Sequence, residues 1–287
     1  MINKSPPGVP LWALITGASS GIGREFSLLC AEDGYNLVLV ARDRAKLELV
    51  ANNIQSIYSI QVHCFVIDLA NDGAIQEIDS HLKQNNIEIT VLINNAGLGQ
   101  NEYFAEGDQI KVSEIILVNI KALTELTRLL LPGMIKNKSG QILNVASMAA
   151  FFPGPFMAVY FASKSYVFSF SRAIREELKG TGVTVTVFCP GLIATPFWEK
   201  ANASQSRLVS SFLIAILSPK KATRIAYAAL KKGKGVCVPG IQSKILYYLR
   251  GIVGVCIPLK IVRFLNAPKN KKCPAINKSC LTNLSSM

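Results

Sequence analysis

The chain has 287 residues, of which 50% are hydrophobic and 17% are charged, so it can bury a large core and is not embedded in a membrane throughout. The formal net charge of +13 is unevenly distributed. Residues 1–199 carry 15 Lys and Arg against 18 Asp and Glu, whereas residues 200–287 carry 16 Lys and Arg and no acidic residue. The basic charge of this C-terminal third comes without a recognised nucleic-acid-binding motif, so we expect no nucleic-acid partner.

The cysteines and histidines give no sign of a metal site. The seven cysteines form no C-x-x-C pair, and His63 and His81 stand apart without neighbouring ligand types. This cysteine usage is typical of a reducing compartment. The opening residues, MINKSPPGVP, contain no apolar segment of the kind found in a secretory signal. We therefore expect a cytoplasmic protein without a bound metal.

Seven apolar, strand-like segments follow one another along the first 240 residues, most of them separated by helix-length segments. They are LWALIT (11–16), YNLVLVA (35–41), QVHCFVID (61–68), ITVLINN (89–95), GQILNVAS (140–147), VTVTVFC (183–189) and GVCVPG (235–240). Most are continuously apolar, which is typical of parallel strands covered by helices on both faces. The alternation of strands and helices predicts an α/β fold with a doubly wound sheet.

A glycine-rich loop, TGASSGIG (16–23), joins the first strand to the first helix. Glycine at positions 17, 21 and 23 allows a tight turn and lets a pyrophosphate approach the backbone. The start of the helix supplies free N–H groups and the positive end of the helix dipole, and Ser19 and Ser20 add hydroxyl donors. The loop, including Ile22, therefore predicts a dinucleotide site.

The second strand ends at Ala41 and is followed by Arg42, where an NAD-binding chain would carry an acidic residue. A guanidinium suits the 2′-phosphate of NADP(H), because it forms paired, charge-assisted hydrogen bonds. Asp43 is either a helix N-cap or a ribose ligand. Asp68, at the end of the third strand, either accepts a hydrogen bond from the adenine amino group or caps the following turn. We expect NADP(H) to be favoured over NAD(H).

The sequence resembles the short-chain dehydrogenase/reductase family over about residues 10–240. The resemblance rests on TGASSGIG, NNAG (94–97), Asn119, Ser147, YFASK (160–164) and PG (190–191), in the family's order and approximate spacing. It implies a Rossmann fold with seven parallel strands, a nicotinamide cofactor and Ser–Tyr–Lys chemistry assisted by an asparagine. The implied catalytic residues are Asn119, Ser147, Tyr160 and Lys164.

Elementary chemistry agrees with these roles. Tyr160 and Lys164 are four residues apart and share a helix face, so the ammonium can lower the pKa of the phenol from its usual value near 10. Ser147 can stabilise the oxyanion that develops on a substrate carbonyl. Asn119 either ends a water relay to Lys164 or is a structural amide that bends its helix. We assign no role to Ser163.

The resemblance also implies a set of cofactor contacts. They are Gly17, Ser19, Ser20, Gly21, Ile22, Gly23, Arg42, Asp68, Leu69, Asn95, Ala96, Gly97, Tyr160, Lys164, Pro190, Gly191, Ile193 and Thr195. The segment LGQNEYF after NNAG departs from the pattern, so Leu98, Asn101 and Glu102 are expected to reshape that side of the substrate cleft.

The C-terminal third divides into a lid at about residues 196–218, an apolar and basic extension over 241–265, and a basic tail over 266–287 that we expect to be disordered. The lid is either the wall of an apolar substrate pocket, or ordinary packing or a subunit contact. In the extension, Arg250, Lys260 and Arg263 interrupt the apolar run and Pro258 breaks a helix, which argues against a membrane span. The extension either attaches to an anionic membrane surface or packs as a domain or subunit contact.

We therefore expect a Rossmann-type catalytic domain over residues 1–240 that interconverts a ketone and a secondary alcohol on an apolar, lipid-like or steroid-like substrate. The alternatives are a 3-oxoacyl thioester reductase and a non-catalytic nucleotide-sensing protein at a membrane. The expected partners are the small-molecule substrate, further copies of the chain in a dimer or tetramer, and an anionic membrane surface. We expect the protein to be cytoplasmic, with attachment at the periphery of a membrane as the alternative.

Overall fold

The computed structural model describes residues 10–203, 206, 216–249 and 256–267. Seven strands form one sheet. They are β1 (Trp12–Thr16), β2 (Asn36–Ala41), β3 (Val62–Val66), β4 (Ile89–Asn94), β5 (Gly140–Val145), β6 (Val183–Phe188) and β7 (Val236–Cys237). Every neighbouring pair is parallel, in the order β3-β2-β1-β4-β5-β6-β7. The predicted doubly wound parallel sheet is confirmed.

Helices connect the strands and cover both faces of the sheet. They are α1 (Gly21–Glu32), α2 (Arg44–Ile57), α3 (Ala74–Gln84), α4 (Gln109–Ile116), α5 (Leu123–Lys136), α6 (Ala158–Glu177), α7 (Phe197–Lys200), α8 (Pro219–Lys231), α9 (Ile241–Leu249) and α10 (Cys256–Asn266). A short 3-10 turn, Met148–Phe151, precedes α6.

The core lies in two layers, one on each face of the sheet. On one face, the sheet packs against α1, α2 and α8 through side chains such as Phe26, Leu47 and Leu230, all fully buried. On the other face, it packs against α3 and α5 through Ile78 and Leu126. Because both faces are covered, most strands are apolar at successive positions, as their sequences predict.

The connection between β4 and β5 contains a local change of helix type. The sequence predicts one helix over about Gln109 to Ile135, but a π-helical turn, Leu117–Ala122, separates α4 from α5. Asn119 lies in this turn and is 1% exposed. A π-turn widens the helix by one residue and often marks a functional position. The amide therefore lies on locally altered backbone.

Parts of the predicted lid, extension and tail lie outside the described residues, namely 204–205, 207–215, 250–255 and 268–287. Within the ranges that are described, no helix combines the length and the apolar character needed to cross a bilayer. Of the two described helices in this region, α9 has 9 residues and α10 has 11 residues.

Candidate active site

A cleft of about 490 Å³ lies outside the carboxyl ends of the strands, where the strand order reverses between β1 and β4. This is the position at which open α/β sheets bind ligands. All the predicted site residues except Gly23 and Asn119 line this cleft. They are Gly17, Ser19, Ser20, Gly21, Ile22, Arg42, Asp68, Leu69, Asn95, Ala96, Gly97, Ser147, Tyr160, Lys164, Pro190, Gly191, Ile193 and Thr195. Gly23 and Asn119 lie behind its wall.

The glycine loop has no room for side chains at its key positions. Gly17 has φ +66°, and a Cβ there would lie 2.8 Å from Asn95 Nδ2. Gly21 has φ +53° and faces Thr195, while a Cβ on Gly23 would lie 2.2 Å from the Gly17 carbonyl oxygen. Gly23 therefore permits close packing of the loop on α1, and the other two let the backbone line the cleft.

Asn95 braces the glycine loop from the neighbouring strand. Its side-chain Nδ2 donates to the carbonyl oxygens of Thr16 at 2.9 Å and Gly17 at 3.2 Å. The backbone N–H groups of Asn95 and Ala96 both donate to Thr16 Oγ1 at 3.0 Å. The ends of β1 and β4 are thus tied together, which holds the start of α1 in position at the cleft.

Ser147, Tyr160 and Lys164 meet at the inner end of the cleft. Ser147 follows β5 and caps the 3-10 turn, accepting from the Ala149 N–H at 3.1 Å. Tyr160 and Lys164 stand on α6, and Lys164 Nζ lies 5.8 Å from the centre of the Tyr160 ring. Lys164 Nζ also donates to the Val145 carbonyl oxygen at 2.9 Å. The predicted grouping of hydroxyl, phenol and ammonium is present.

Burial shifts the pKa values of these two groups in opposite directions. It raises the pKa of Tyr160 to about 12, while a hydrogen bond with Ser147 acts to lower it. It lowers the pKa of Lys164 to about 8. The sequence predicts a lowered phenol pKa, but the direction is the reverse, because loss of solvation outweighs the hydrogen bond with Ser147. The phenol is therefore protonated at neutral pH.

Asn119 holds the backbone beside Lys164. Its Oδ1 accepts from the Leu98 N–H at 2.8 Å, and its Nδ2 donates to the Leu98 carbonyl at 2.9 Å and to Ser163 Oγ at 2.9 Å. Ser163 Oγ in turn donates to the Tyr160 carbonyl at 2.7 Å. Ser163, to which the sequence assigned no role, thus links the π-turn to the helix that carries Tyr160. Its burial within the YFASK motif is the signal that could have revealed it.

The rim of the cleft beside β2 carries three cations, which are Arg42, Lys46 and Lys200. Arg42 Nη1 lies 3.2 Å from Asp68 Oδ2, and Lys46 Nζ lies 2.7 Å from Asp43 Oδ2. Asp43 accepts from the Lys46 N–H at 3.1 Å, so it is the N-cap of α2. Asp68 Oδ1 accepts from the Ala70 N–H at 2.9 Å, so this carboxylate caps its turn and also pairs with Arg42.

Lys46 and Lys200 line the cleft as well, although neither is among the cofactor contacts predicted from the sequence. Lys46 stands one helical turn beyond Arg42, so its position could have been inferred. Lys200 comes from α7, far away in sequence, and it lies close enough to Asp43 to act with Lys46 in holding the pKa of that carboxyl below its usual value. Only the tertiary fold brings it there.

An apolar shell, Phe197 and Trp198, lies beside Tyr160 at the cleft. The Phe197 ring lies 5.2 Å from the Tyr160 ring and 5.3 Å from the Trp198 ring, centre to centre. A Cβ at Gly99 would lie 2.7 Å from the Phe197 ring, so only glycine permits this approach. The Trp198 indole N–H donates to the Ile193 carbonyl at 3.0 Å. Phe197 and Trp198 are therefore cleft residues that the sequence predicted only as part of a lid.

The family profile of short chain dehydrogenases matches residues 11–206. Among curated proteins, the chain is 40% identical over 188 residues to a very-long-chain 3-oxoacyl-CoA reductase of Phaeosphaeria nodorum, covering 64% of this chain and 55% of that protein. It is 34% identical over 193 residues to a protein of the same name from Mus musculus, covering 66% of this chain and 61% of that protein. The matched region thus spans little more than half the length of these relatives.

A solved short-chain dehydrogenase from Sphingobium yanoikuyae, in complex with NADPH, has a TM-score of 0.76 to this structure. The two are 26% identical, and the match covers 93% of this chain and 99% of the other. The family profile extends across more than half of the present chain, from β1 to the residues that follow α7. The chain belongs to the short chain dehydrogenase family.

Proposed function

We propose that the protein uses NADPH to reduce the 3-oxo group of an acyl thioester with an apolar chain. The observation that carries this proposal is the meeting of Ser147, Tyr160 and Lys164 beneath the apolar shell of Phe197 and Trp198. The names of the two curated relatives support the thioester. A free apolar ketone would use the same shell and is separated from the thioester by the experiment below.

The cleft fits a dinucleotide on two structural grounds. Gly17 and Gly21 have positive φ and leave backbone where a side chain would otherwise fill the cradle. The start of α1 opens into the same cleft and suits a pyrophosphate. A bound nicotinamide would supply the hydride for reduction. Lys164, Pro190, Gly191, Ile193 and Thr195 are the residues that would hold that end of the cofactor.

In this proposal Tyr160 donates a proton to the developing alkoxide. Its raised pKa keeps the phenol protonated and available as a donor at neutral pH. Ser147 hydrogen-bonds the substrate oxygen as negative charge develops there. Lys164, as a cation, stabilises the phenolate that remains. Asn119 fixes the backbone at Leu98 and, through Ser163, the helix that carries Tyr160.

We infer a preference for NADP(H) from the cations at the rim. Arg42, Lys46 and Lys200 gather beside the end of β2, where the adenosine ribose would lie. Asp43 and Asp68 are paired with Lys46 and Arg42, so the 2′-phosphate would compete with these carboxylates for the two cations. Three cations against two carboxylates leave a local excess of positive charge, which favours the phosphate.

We also propose that α9 and α10 attach the protein to an anionic membrane surface. The exposed fractions are 79% for Ile241, 53% for Ile245 and 74% for Tyr248 on α9, and 60% for Phe264 on α10. Lysine and arginine accompany these side chains, and residues 200–287 contain no acidic residue to repel anionic lipid. Exposed apolar side chains combined with basic charge suit the interface of such a membrane.

The test of the reaction is turnover of acetoacetyl-CoA, a long-chain 3-oxoacyl-CoA and a free apolar ketone with NADPH. We expect Tyr160→Phe to lower kcat by about 100-fold or more, in the range of general acid catalysis. Tyr166→Phe is the matched control, because Tyr166 stands on the same helix and bonds Thr124 at the surface. Equal rates for Tyr160→Phe and wild type would overturn the role of Tyr160, and turnover of the free ketone alone would overturn the thioester.

A further inference from the structure

The last residue of α10 is buried against two loops of the catalytic domain. Asn266 is 1% exposed, and its Nδ2 donates to the Pro155 carbonyl oxygen at 3.1 Å. Its own carbonyl oxygen accepts from Asn101 Nδ2 at 3.0 Å, across 165 residues of sequence. The helix thus runs one residue past the predicted extension (241–265) into the predicted tail, and its end is hydrogen-bonded to the loop after β4 and to the loop before α6.

These two loops are joined to each other and to α7. The Glu102 N–H donates to the Phe156 carbonyl at 2.9 Å, and the Asn101 N–H donates to the Ala201 carbonyl at 2.8 Å. Phe156 has φ +67°, a conformation that is costly for a bulky residue and persists only where its surroundings hold it. The end of α10 is part of what holds it, through Pro155.

The same helix bears on the apolar shell of the active site. Val262, one turn before Asn266, packs against the cluster of Ala149, Met157, Tyr160 and Phe161, against which Phe197 also packs. The loop residues bonded to Asn266 flank Gly99 and Met157, which contact Phe197 and Tyr160. A displacement of α10 would therefore change the space beside the Tyr160 ring.

The side-chain amides of Asn101 and Asn266 leave two buried acceptors that lower the free energy of unfolding. Asn101 Oδ1 and Asn266 Oδ1 are both buried without a hydrogen-bond partner among the described residues. A buried acceptor without a partner costs free energy, so two apolar side chains could have packed here at lower cost. What the amides provide is a defined position for the end of α10.

We propose that Asn266 and Asn101 form a latch that holds α10 against the apolar residues around the Tyr160 ring, and that this packing selects long apolar acyl chains. The inference rests on the proposed function and adds the part of the chain that recognises the acyl group. Asn266 and Asn101 are positioning residues, because they act through Val262 and the loops. On the same helix, Ile261 is 54% exposed.

The test compares Asn266→Ala and Val262→Ala with Ile261→Ala, a control on the same helix whose side chain is 54% exposed. We expect the first two variants to raise KM for the long-chain 3-oxoacyl-CoA by about 10-fold, equivalent to ~1.4 kcal/mol. KM for acetoacetyl-CoA and the Kd of NADPH should stay within about 2-fold of wild type. A general loss of structure would instead change all three quantities together.

A second readout does not depend on turnover. The chain has two tryptophans, so in a Trp12→Phe background Trp198 alone reports on the shell. We expect Asn266→Ala and Val262→Ala to increase acrylamide quenching of Trp198, and Ile261→Ala to leave it unchanged. Wild-type quenching together with a wild-type chain-length profile would overturn the latch. If no thioester is reduced by wild type, the proposed function fails, and quenching still decides whether α10 supports the shell.

Discussion

At the scale of single residues, one physical cause gives the predicted acid and its neighbouring cation their properties. Burial removes solvent from both groups, so it disfavours the phenolate of Tyr160 and the ammonium of Lys164. The phenol becomes a weaker acid and the ammonium a stronger one, which brings their pKa values to about 12 and about 8. Burial of the Lys164 ammonium therefore has a cost in stability at neutral pH.

Replacing Lys164 with methionine should abolish activity and stabilise the fold. At neutral pH both folded and unfolded chains carry the Lys164 proton, and the buried charge destabilises the folded state. The difference between the usual 10.5 and about 8 predicts a gain in the free energy of unfolding of about 1 to 3 kcal/mol after loss of the bond to Val145. Urea denaturation measures this gain, with Lys111→Met at the exposed start of α4 as the control.

The gain should depend on pH in a defined direction. Between about 8 and 10.5 the unfolded chain binds the Lys164 proton and the folded chain releases it, so wild-type stability rises with pH across this window. The advantage of Lys164→Met should shrink over the same window. An advantage that is absent at neutral pH, or that grows toward pH 10, would show that burial of the charge is not the cause.

At the scale of elements, the start of α2 is expected to distinguish the two nicotinamide cofactors. Arg42 precedes this helix, Asp43 caps it and Lys46 stands in its first turn, so the helix start presents two of the three rim cations. A phosphate placed there would also meet the positive end of the helix dipole. We therefore expect the N-terminus of α2 and the side chains of Arg42 and Lys46 to bind the 2′-phosphate together.

Arg42→Ala should weaken NADPH binding and leave NADH binding unchanged. Loss of a charge-assisted contact to the 2′-phosphate is expected to raise the Kd of NADPH by about 10-fold or more. Arg44→Ala is the control, since Arg44 is on the same helix, pairs with Glu48 and lies in the solvent. Fluorescence titration measures both dissociation constants, and an equal loss for NADPH and NADH would remove the assignment of Arg42 to the phosphate.

At the scale of the whole molecule, charge and exposed apolar surface coincide in the C-terminal third. The acidic residues all precede residue 200, whereas the exposed faces of α9 and α10 carry large apolar side chains. The inner side of α9 is fixed by Tyr247, whose ring lies 5.2 Å from that of Phe151. A membrane bound to the exposed face of α10 would lie close to the cluster that contains Tyr160, because Val262 of the same helix packs against it. Assembly into a dimer or tetramer stays a prediction.

Charged substitutions on α9 should therefore weaken membrane binding. We expect the double variant Ile245→Glu and Tyr248→Glu to reduce co-sedimentation with phosphatidylserine-containing vesicles by about 10-fold, because it removes apolar contact and adds negative charge. Leu49→Glu on α2 is the control, since Leu49 is 70% exposed but lies outside the C-terminal third of the chain. Wild-type protein that fails to sediment with these vesicles at low salt would exclude the attachment.

The sequence by itself determined the seven strands, their parallel arrangement, the glycine loop and the pairing of Tyr160 with Lys164. These features depend on local periodicity, on backbone freedom at glycine and on helical spacing, all of which act over a few residues. The tertiary structure alone decided the rest: the pairing of Arg42 with Asp68, the cover of Phe197 on Tyr160, the link from Asn101 to Asn266 and the direction of the phenol pKa. Each of these features depends on contacts between distant segments or on the exclusion of solvent by such contacts. The local spacing of residues in the sequence predicts neither the contacts nor the exclusion of solvent.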